Sequence, residues 1–155
     1  MVPKKILVCT DFSENSVPAQ ASALEYAKAF KAELLILHVV NSRLLGYPTL
    51  EDRIPVDMGL LKKNIEEGVR QELDLIVKDC KSELKRVRAF FRTGAPAEEI
   101  ARAVDEESVD LVIMGTHGWS GLKHLVLGST AENVVRTANC PVLTVRSGPK
   151  QQVER

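Results

Sequence analysis

Residues 111–129 read LVIMGTHGWSGLKHLVLGS, and this order of residue types predicts a strand, a glycine-rich loop and the start of a helix. The apolar run at 111–114 is typical of a strand buried on both faces. Gly115, Gly118 and Gly128 let the main chain approach a ligand closely. Because a helix N-terminus adds free N–H groups and a partial positive charge, the stretch predicts a site for an anionic phosphate.

Strand and helix patterns alternate along the rest of the chain. Short apolar runs predict strands at 5–10, 34–40, 87–92, 111–114 and 142–145. Amphipathic repeats predict helices at 17–30, at 58–80, from 96 and from 129. In the first of these helices the predicted buried stripe consists of Val17, Ala21, Leu24, Ala27 and Phe30.

This alternation predicts an α/β fold, with a five-stranded parallel sheet covered by helices on both faces. Right-handed crossovers favour the flavodoxin-like, Rossmann-like order 3-2-1-4-5. Ligands of such sheets bind beyond the carboxyl ends of the strands at the switch point, here between the first and fourth strands. Asp11 follows the first strand and Gly115 ends the fourth, so we expect their loops to share one crevice.

Composition predicts one small cytoplasmic domain over residues 1–155, with a frayed polar tail at 147–155. The 21 basic and 21 acidic residues cancel, so we expect neither nucleic acid nor a membrane surface as a partner. The N-terminal apolar run is too short for a signal peptide. The three cysteines are widely spaced, which favours small buried hydrophobes over metal ligands.

Together these residues resemble the universal stress protein family, specifically its ATP-binding branch. The family motif G-x2-G-x9-G-[S/T] is present as Gly115, Gly118, Gly128 and Ser129. Residues 6–13, 37–39 and 141–145 are similar to the family's first strand and acidic turn, its second strand end and its last strand. The resemblance covers about residues 4–146.

The resemblance implies a nucleotide site made by Asp11, Val39, Gly115, Thr116, Gly118, Gly128 and Ser129. In that site Asp11 holds the adenosine portion and Val39 meets the adenine. Gly115 and Thr116 lie beside the ribose and first phosphate, and Gly118, Gly128 and Ser129 surround the phosphate chain. Mg²⁺ or Mn²⁺ would bridge the phosphates, since hard oxygen ligands suit both ions.

Several of these residues also have a purely structural interpretation. For Asp11 this alternative role is to cap the first helix or to hold its turn. Ser129 and Glu132 have the Ser-x-x-Glu spacing of a capping box, a role compatible with facing a phosphate. Thr116 fits an ordinary turn, and His117 fits an exposed loop better than a catalytic position.

Two functions remain open. In the first, the protein holds ATP as a regulatory signal and hydrolyses it slowly at most, because no water-positioning base stands near Gly128. In the second, it is an interaction scaffold in the stress response whose bound nucleotide is structural or incidental, and partners dock on residues 41–57. In both cases the apolar fifth strand lies at a sheet edge, which favours a homodimer through that strand.

Overall fold

The elements of the fold follow the predicted alternation. A computed structural model of the protein describes residues 2–45, 57–116 and 127–147. Its strands are β1 (Lys5–Cys9), β2 (Glu33–Asn41), β3 (Val87–Gly94), β4 (Leu111–Gly115) and β5 (Val142–Val145). Its α-helices are α1 (Val17–Phe30), α2 (Ser42–Leu45), α3 (Met58–Lys81), α4 (Pro96–Glu107) and α5 (Ser129–Thr137). The short α2 and a 3-10 turn at Glu14–Ser16 were not predicted.

The five strands form one parallel sheet in the order β3-β2-β1-β4-β5, which confirms the predicted topology. β1 is the central strand, with Val8 opposite Ile36 of β2 on one side and Ile113 of β4 on the other. β2 and β3 are added on one side of β1, whereas β4 and β5 are added on its other side. The carboxyl ends of β1 and β4 therefore open the crevice at which such sheets bind ligands.

Helices cover both faces of the sheet, as predicted. One core packs α1 and α3 against the sheet, and the other packs α4 and α5 against the opposite face. Residues Ile6, Leu7, Leu35, Ile36 and Ile113 have no exposed surface, because these strands are covered on both sides. None of the helices within the described residues has both the length and the apolar character needed to cross a bilayer.

The predicted buried stripe of α1 is largely wrong. Ala19, Ala23 and Ala27 are completely buried, whereas Val17 is 56% exposed and Phe30 is 39% exposed. Alanines spaced four residues apart form a smooth ridge, and this ridge lets the helix axis approach the sheet closely. The helix is therefore rotated so that its smallest side chains, and not its largest apolar ones, face the core.

The start of α5 also differs from the prediction. The N-cap is Gly128, and Ser129 is the first helical residue, with no side-chain cap hydrogen bond. The predicted capping box between Ser129 and Glu132 is therefore wrong. Glu132 instead pairs with Arg136, one turn further along the helix, at 2.9 Å. Gly128 takes the cap position because its amide is bound to the end of β4, which fixes where the helix begins.

Candidate functional site

A cavity of about 560 Å³ opens at the carboxyl edge of the sheet, where β1 and β4 diverge. Six of the seven predicted site residues line it, namely Asp11, Val39, Gly115, Thr116, Gly128 and Ser129. Gly118 and His117 lie outside the described residues, as do residues 46–56 of the predicted partner segment and 148–155 of the predicted tail. The fold thus brings residues from four separate chain segments to one place.

Val39, near the end of β2, lines the cavity. Residues of a parallel strand direct their peptide groups alternately to the two neighbouring strands. Leu37 accepts from Thr10 N at 2.9 Å, so the odd-numbered residues of β2 point toward β1. Because β1 ends at Cys9 and β2 continues to Asn41, the peptide groups of Val39 point past the end of β1. They have the direction needed to read the edge of a planar base.

The Asp11 carboxylate holds the turn that follows β1. Its Oδ1 accepts from Ser13 N at 3.0 Å and from Ser13 Oγ at 2.5 Å. The structural role considered for Asp11 is therefore present in the fold. The residue also lines the cavity, and it is half-buried. Holding the turn and contacting a ligand are compatible, because a carboxylate offers about four acceptor positions.

Hydrogen bonds from the buried hydroxyl groups of Thr10 and Ser16 stabilise the turn that follows β1. Ser16 Oγ donates to Ser13 O at 2.8 Å, so the 3.1 Å bond between Thr10 and Ser16 must be donated by Thr10 Oγ1. Thr10 Oγ1 accepts from Phe12 N at 3.0 Å and from Gln20 Nε2 at 3.0 Å. Every hydrogen of these two hydroxyl groups is thus assigned. The network gives the cavity a rigid floor on the β1 side.

The first turn of α5 faces the cavity from the opposite side. Glu132 N donates to Gly128 O at 2.9 Å, which is the first bond of the helical pattern. The three preceding amides, those of Ser129, Thr130 and Ala131, belong to the turn that has no intrahelical acceptor. All three residues line the cavity. This arrangement presents N–H groups and the positive end of a helix dipole to an anion.

One detail of the predicted phosphate site changes. The amide of Gly128 donates to Thr116 O at 2.8 Å, so it ties the helix to β4 and is not directed at a ligand. Thr116 N in turn donates to Val145 O at 3.0 Å. The amides of the first helical turn are therefore those of Ser129, which was predicted, and of Thr130 and Ala131, which were not. Thr130 and Ala131 were missed for this reason, and a Gly128 N-cap would have identified them.

The remaining wall of the cavity is largely apolar. Ile65 of α3, Ile100 of α4 and Met114 of β4 contribute to it, with Pro96 at the start of α4. Such a wall suits a flat ring system, and the polar edge suits the groups attached to it. Cys9 also lines the cavity, and burial raises the pKa of its thiol to about 12. At neutral pH this cysteine is a protonated, unreactive part of the wall.

His38 of β2 lies at the same edge of the sheet and lines the cavity. Its Nδ1 is 2.9 Å from Thr10 O, and its ring stacks on Phe12 with centroids 4.3 Å apart. Burial lowers its pKa from the usual value, so the ring is neutral at pH 7. A carbonyl oxygen only accepts, and the neutral tautomer therefore carries its hydrogen on Nδ1.

Metal ligands are sparse among the residues that the structure describes, which contain no group of three or more His, Cys, Asp or Glu side chains arranged to hold an ion. Asp11, Ser129 and Thr130 nevertheless place oxygen atoms around the cavity. Mg²⁺ is commonly held by one or two carboxylates together with phosphate oxygens and water. This donor set therefore fits an ion that arrives with a phosphate ligand.

The sequence profile of the Universal stress protein family matches residues 3–146. The chain belongs to the universal stress protein family. Universal stress protein MJ0577 of Methanocaldococcus jannaschii is 36% identical over 157 residues, which cover 92% of this chain and 94% of the relative. Universal stress protein YxiE of Bacillus subtilis is 35% identical over 146 residues, covering 92% and 98% of the two chains.

Solved structures of the family share the fold of this universal stress protein. The structure of MJ0577 superposes with a TM-score of 0.78 at 34% identity and covers 97% of this chain and all (100%) of that one. A universal stress protein in complex with cAMP gives a TM-score of 0.70 at 22% identity, with 96% and 100% of the two chains covered. At that lower identity the likeness establishes the fold alone.

Proposed function

We propose that this universal stress protein binds ATP in the cavity between β1 and β4 and acts as a nucleotide-sensing regulatory protein. The observation that supports this most directly is the position of the first three amides of α5. The residues that carry them, Ser129, Thr130 and Ala131, line the same cavity of about 560 Å³ as Asp11 and Val39. An anion-binding helix end and a base-sized apolar wall are thus combined in one cavity.

In the proposed complex the adenosine lies at the β1–β2 side. Asp11 contacts the ribose or base, and Val39 contacts the adenine through its main chain. The phosphates lie along Gly115, Thr116, Gly118, Gly128 and Ser129, with the amides of Thr130 and Ala131 added to that set. When bound, Mg²⁺ or Mn²⁺ would neutralise part of the phosphate charge, and the hydroxyl groups of Ser129 and Thr130 are the side-chain oxygens suited to support it.

We further propose that ATP turnover is slow at most. Rapid phosphoryl transfer needs a group that orients the attacking water and positive charge at the terminal phosphate. At the α5 side the described cavity wall supplies amides, hydroxyls and apolar side chains, whereas Asp11 and His38 lie at the β1–β2 side, where the adenosine is proposed to lie. This arrangement favours retention of the ligand over its conversion. Metal-dependent release of inorganic phosphate on the scale of ordinary kinases would contradict this part of the proposal.

The ATP site is tested with two variants of Gly128, the N-cap of α5, whose new side chains are equal in size. Gly128 has φ −61° and ψ 149°, which any residue adopts, and both Asp and Asn are better N-caps than Gly by a few tenths of a kcal/mol, as a rough figure. Gly128→Asp and Gly128→Asn should therefore fold equally well. The Asp variant alone adds a negative charge beside the proposed phosphates.

We expect calorimetric titration with Mg·ATP to show weaker binding for Gly128→Asp than for Gly128→Asn, by about tenfold or more. Titrations with ADP, AMP and cAMP then rank the nucleotides. Mass spectrometry of gently purified protein provides an independent readout, because a tightly held nucleotide would copurify. A wild-type protein that binds no adenine nucleotide in either experiment would refute the proposal.

We propose that the protein forms a homodimer through β5 in the cytoplasm. β5 is an edge strand of uncharged residues, all of them half-buried. The other edge, β3, carries Arg88 and Arg92, and each is paired with acidic side chains. Charged edges resist strand pairing, so β5 is the edge better suited to accept a second copy. Three free cysteines fit a reducing compartment.

The alternative function, an interaction scaffold, has one specific observation in its favour. Met58 and Leu60, in the first turn of α3, are 52% and 56% exposed and directly follow the segment proposed for partner docking. Partner capture by wild type and by Gly128→Asp would separate the two functions. If the variant loses ATP but retains the same partner with equal affinity, the nucleotide is incidental and the scaffold function is favoured.

A further inference from the structure

Asp11 lies between two residues that are both attached to the same side chain of β2. His38 Nδ1 donates to the carbonyl oxygen of Thr10 at 2.9 Å. The ring of His38 stacks on the ring of Phe12, with centroids 4.3 Å apart and an angle of 25° between the planes. The residues immediately before and after Asp11 are thus held by one imidazole.

This attachment stabilises a main-chain conformation that is otherwise unfavourable. Phe12 has a φ of 63°, in the left-handed region, which costs a non-glycine residue about 1–2 kcal/mol. The 3.0 Å bond from Phe12 N to Thr10 Oγ1 and the stack on His38 are both made in this conformation. The turn therefore keeps one geometry because its two ends are fixed from outside the turn.

We propose that His38 is a positioning residue that fixes the direction of Asp11 toward the nucleotide. This inference rests on the proposed ATP site. His38 itself lines the cavity, and the role proposed for it is exerted through its contacts with Thr10 and Phe12. The imidazole supplies both the hydrogen bond to Thr10 and the ring that supports Phe12. Without it, the turn gains alternative conformations in the free protein, and ordering them again on binding weakens affinity.

The chemistry of the contact explains why a histidine suits this position. An aliphatic side chain would fill the space in β2 but would leave Thr10 O without its donor. A phenylalanine would keep the stack and lose the same bond. Only a side chain with both a ring and an N–H at the Nδ1 position supports the two residues together. Asparagine places an N–H at nearly the same point without the ring.

The test compares three variants by calorimetric titration with Mg·ATP. His38→Leu removes both contacts and should weaken ATP binding by about tenfold, whereas His38→Asn restores the hydrogen bond and should recover part of that loss. Phe12→Leu removes only the stack. A fourth protein combines His38→Leu with Phe12→Leu. If His38 and Phe12 act together, this double variant should lose less affinity than the sum of the two single losses, as coupled residues do.

Two controls separate positioning from general destabilisation. Phe90→Leu removes an aromatic ring that packs in the core on the other face of the sheet and does not line the described cavity, so its ATP affinity should match the wild type. Amide hydrogen exchange without nucleotide should accelerate in His38→Leu chiefly at residues 10–13. This readout remains informative even if one variant folds less well.

The outcomes are distinct for the two proposals. If the wild type binds ATP and His38→Leu binds it equally well, His38 is not a positioning residue, and the ATP site stands. If His38→Asn is no better than His38→Leu and exchange rises throughout the protein, the role of His38 is general packing, and the inference fails. If the wild type binds no nucleotide, the proposed function fails, and the inference fails with it.

Discussion

At the scale of single residues, two glycines show how the surroundings decide the effect of one methyl group. A Cβ on Gly94, at the end of β3, would lie 2.7 Å from Cγ of Glu99. Glu99 is 12% exposed and contacts Arg102 at 2.9 Å and Arg92 at 3.8 Å. A Cβ on Gly68, inside α3, would meet no atom within 4 Å. The same substitution should therefore have opposite effects at the two positions.

We expect Gly94→Ala to lower the free energy of unfolding by about 1 kcal/mol, because Glu99 must leave its rotamer and its arginine partners. Gly68→Ala should raise it by roughly 0.5–1 kcal/mol, since alanine is the better helix former. Urea denaturation of both variants beside the wild type measures the two changes. Equal effects of the same sign at both positions would contradict the structure.

His38 makes the stability depend on pH in a defined direction. Its pKa is lowered in the folded protein by burial, whereas in the unfolded chain it titrates near its usual 6.5. Above that pH both states are neutral at this residue. Below it the unfolded state gains a proton that the folded state does not bind, so the free energy of unfolding falls until the pH passes the lowered folded pKa.

We therefore expect the stability difference between wild type and His38→Gln to shrink as the pH falls from 7.5 to 5.5. The change is limited to about 1.4 kcal/mol per pH unit for one proton. Urea denaturation at three pH values measures it, and the variant cancels the contribution of all other titrating groups. A difference that is constant over this range would show that the folded pKa is not lowered.

At the scale of elements, the contact between α1 and the sheet depends on small side chains. Ala23 is fully buried, and Ala21 lies on the exposed side of the same helix. Ala23→Leu should lower the free energy of unfolding by about 1–3 kcal/mol, because a close-packed contact has no room for three more carbons. Ala21→Leu, which adds the same atoms to the surface, should change it by less than about 0.5 kcal/mol.

Thermal and urea unfolding of the two leucine variants measures these changes directly. The pair has identical helix propensity, so any difference between them reports burial alone. Equal stability of the two variants would mean that α1 is rotated as its larger apolar residues indicate, with Ala21 inside the core. That result would contradict the packing of α1 described above.

At the scale of the whole molecule, the proposed homodimer depends on an uncharged edge. Thr144 of β5 pairs with Met114 of β4 and is half-buried. Thr144→Lys places a charge at the proposed dimer interface and should convert the protein to a monomer at micromolar concentration. Thr137→Lys, at the exposed end of α5, adds the same charge away from the edge and should remain dimeric.

Size-exclusion chromatography with light scattering distinguishes these states. Binding of Mg·ATP to the monomeric Thr144→Lys protein should persist, because the residues of β5 do not line the described cavity. A wild-type protein that is monomeric under the same conditions would refute the dimer without affecting the ATP site. A dimer that survives in Thr144→Lys would place its interface elsewhere.

Local patterns in the sequence determined the strands, their parallel order and the edge of the sheet where the predicted site residues meet. Apolar runs, Pro96 at the start of α4 and glycine spacing are all properties of neighbouring residues, and the order of a parallel sheet follows from the hand of its crossovers. Six of the seven predicted site residues were thereby brought to one cavity. The spacing of apolar residues and glycines was sufficient for these predictions, because it does not depend on contacts between distant parts of the chain.

The tertiary structure alone decided the details that depend on distant partners. Which side of α1 is buried depends on how closely the helix approaches the sheet, and the start of α5 depends on the bond from Gly128 N to Thr116 O. His38 contacts Thr10 and Phe12, which precede it in the chain by 28 and 26 residues. Such contacts arise only when separate strands lie side by side, so periodicity within any one of them does not reveal them.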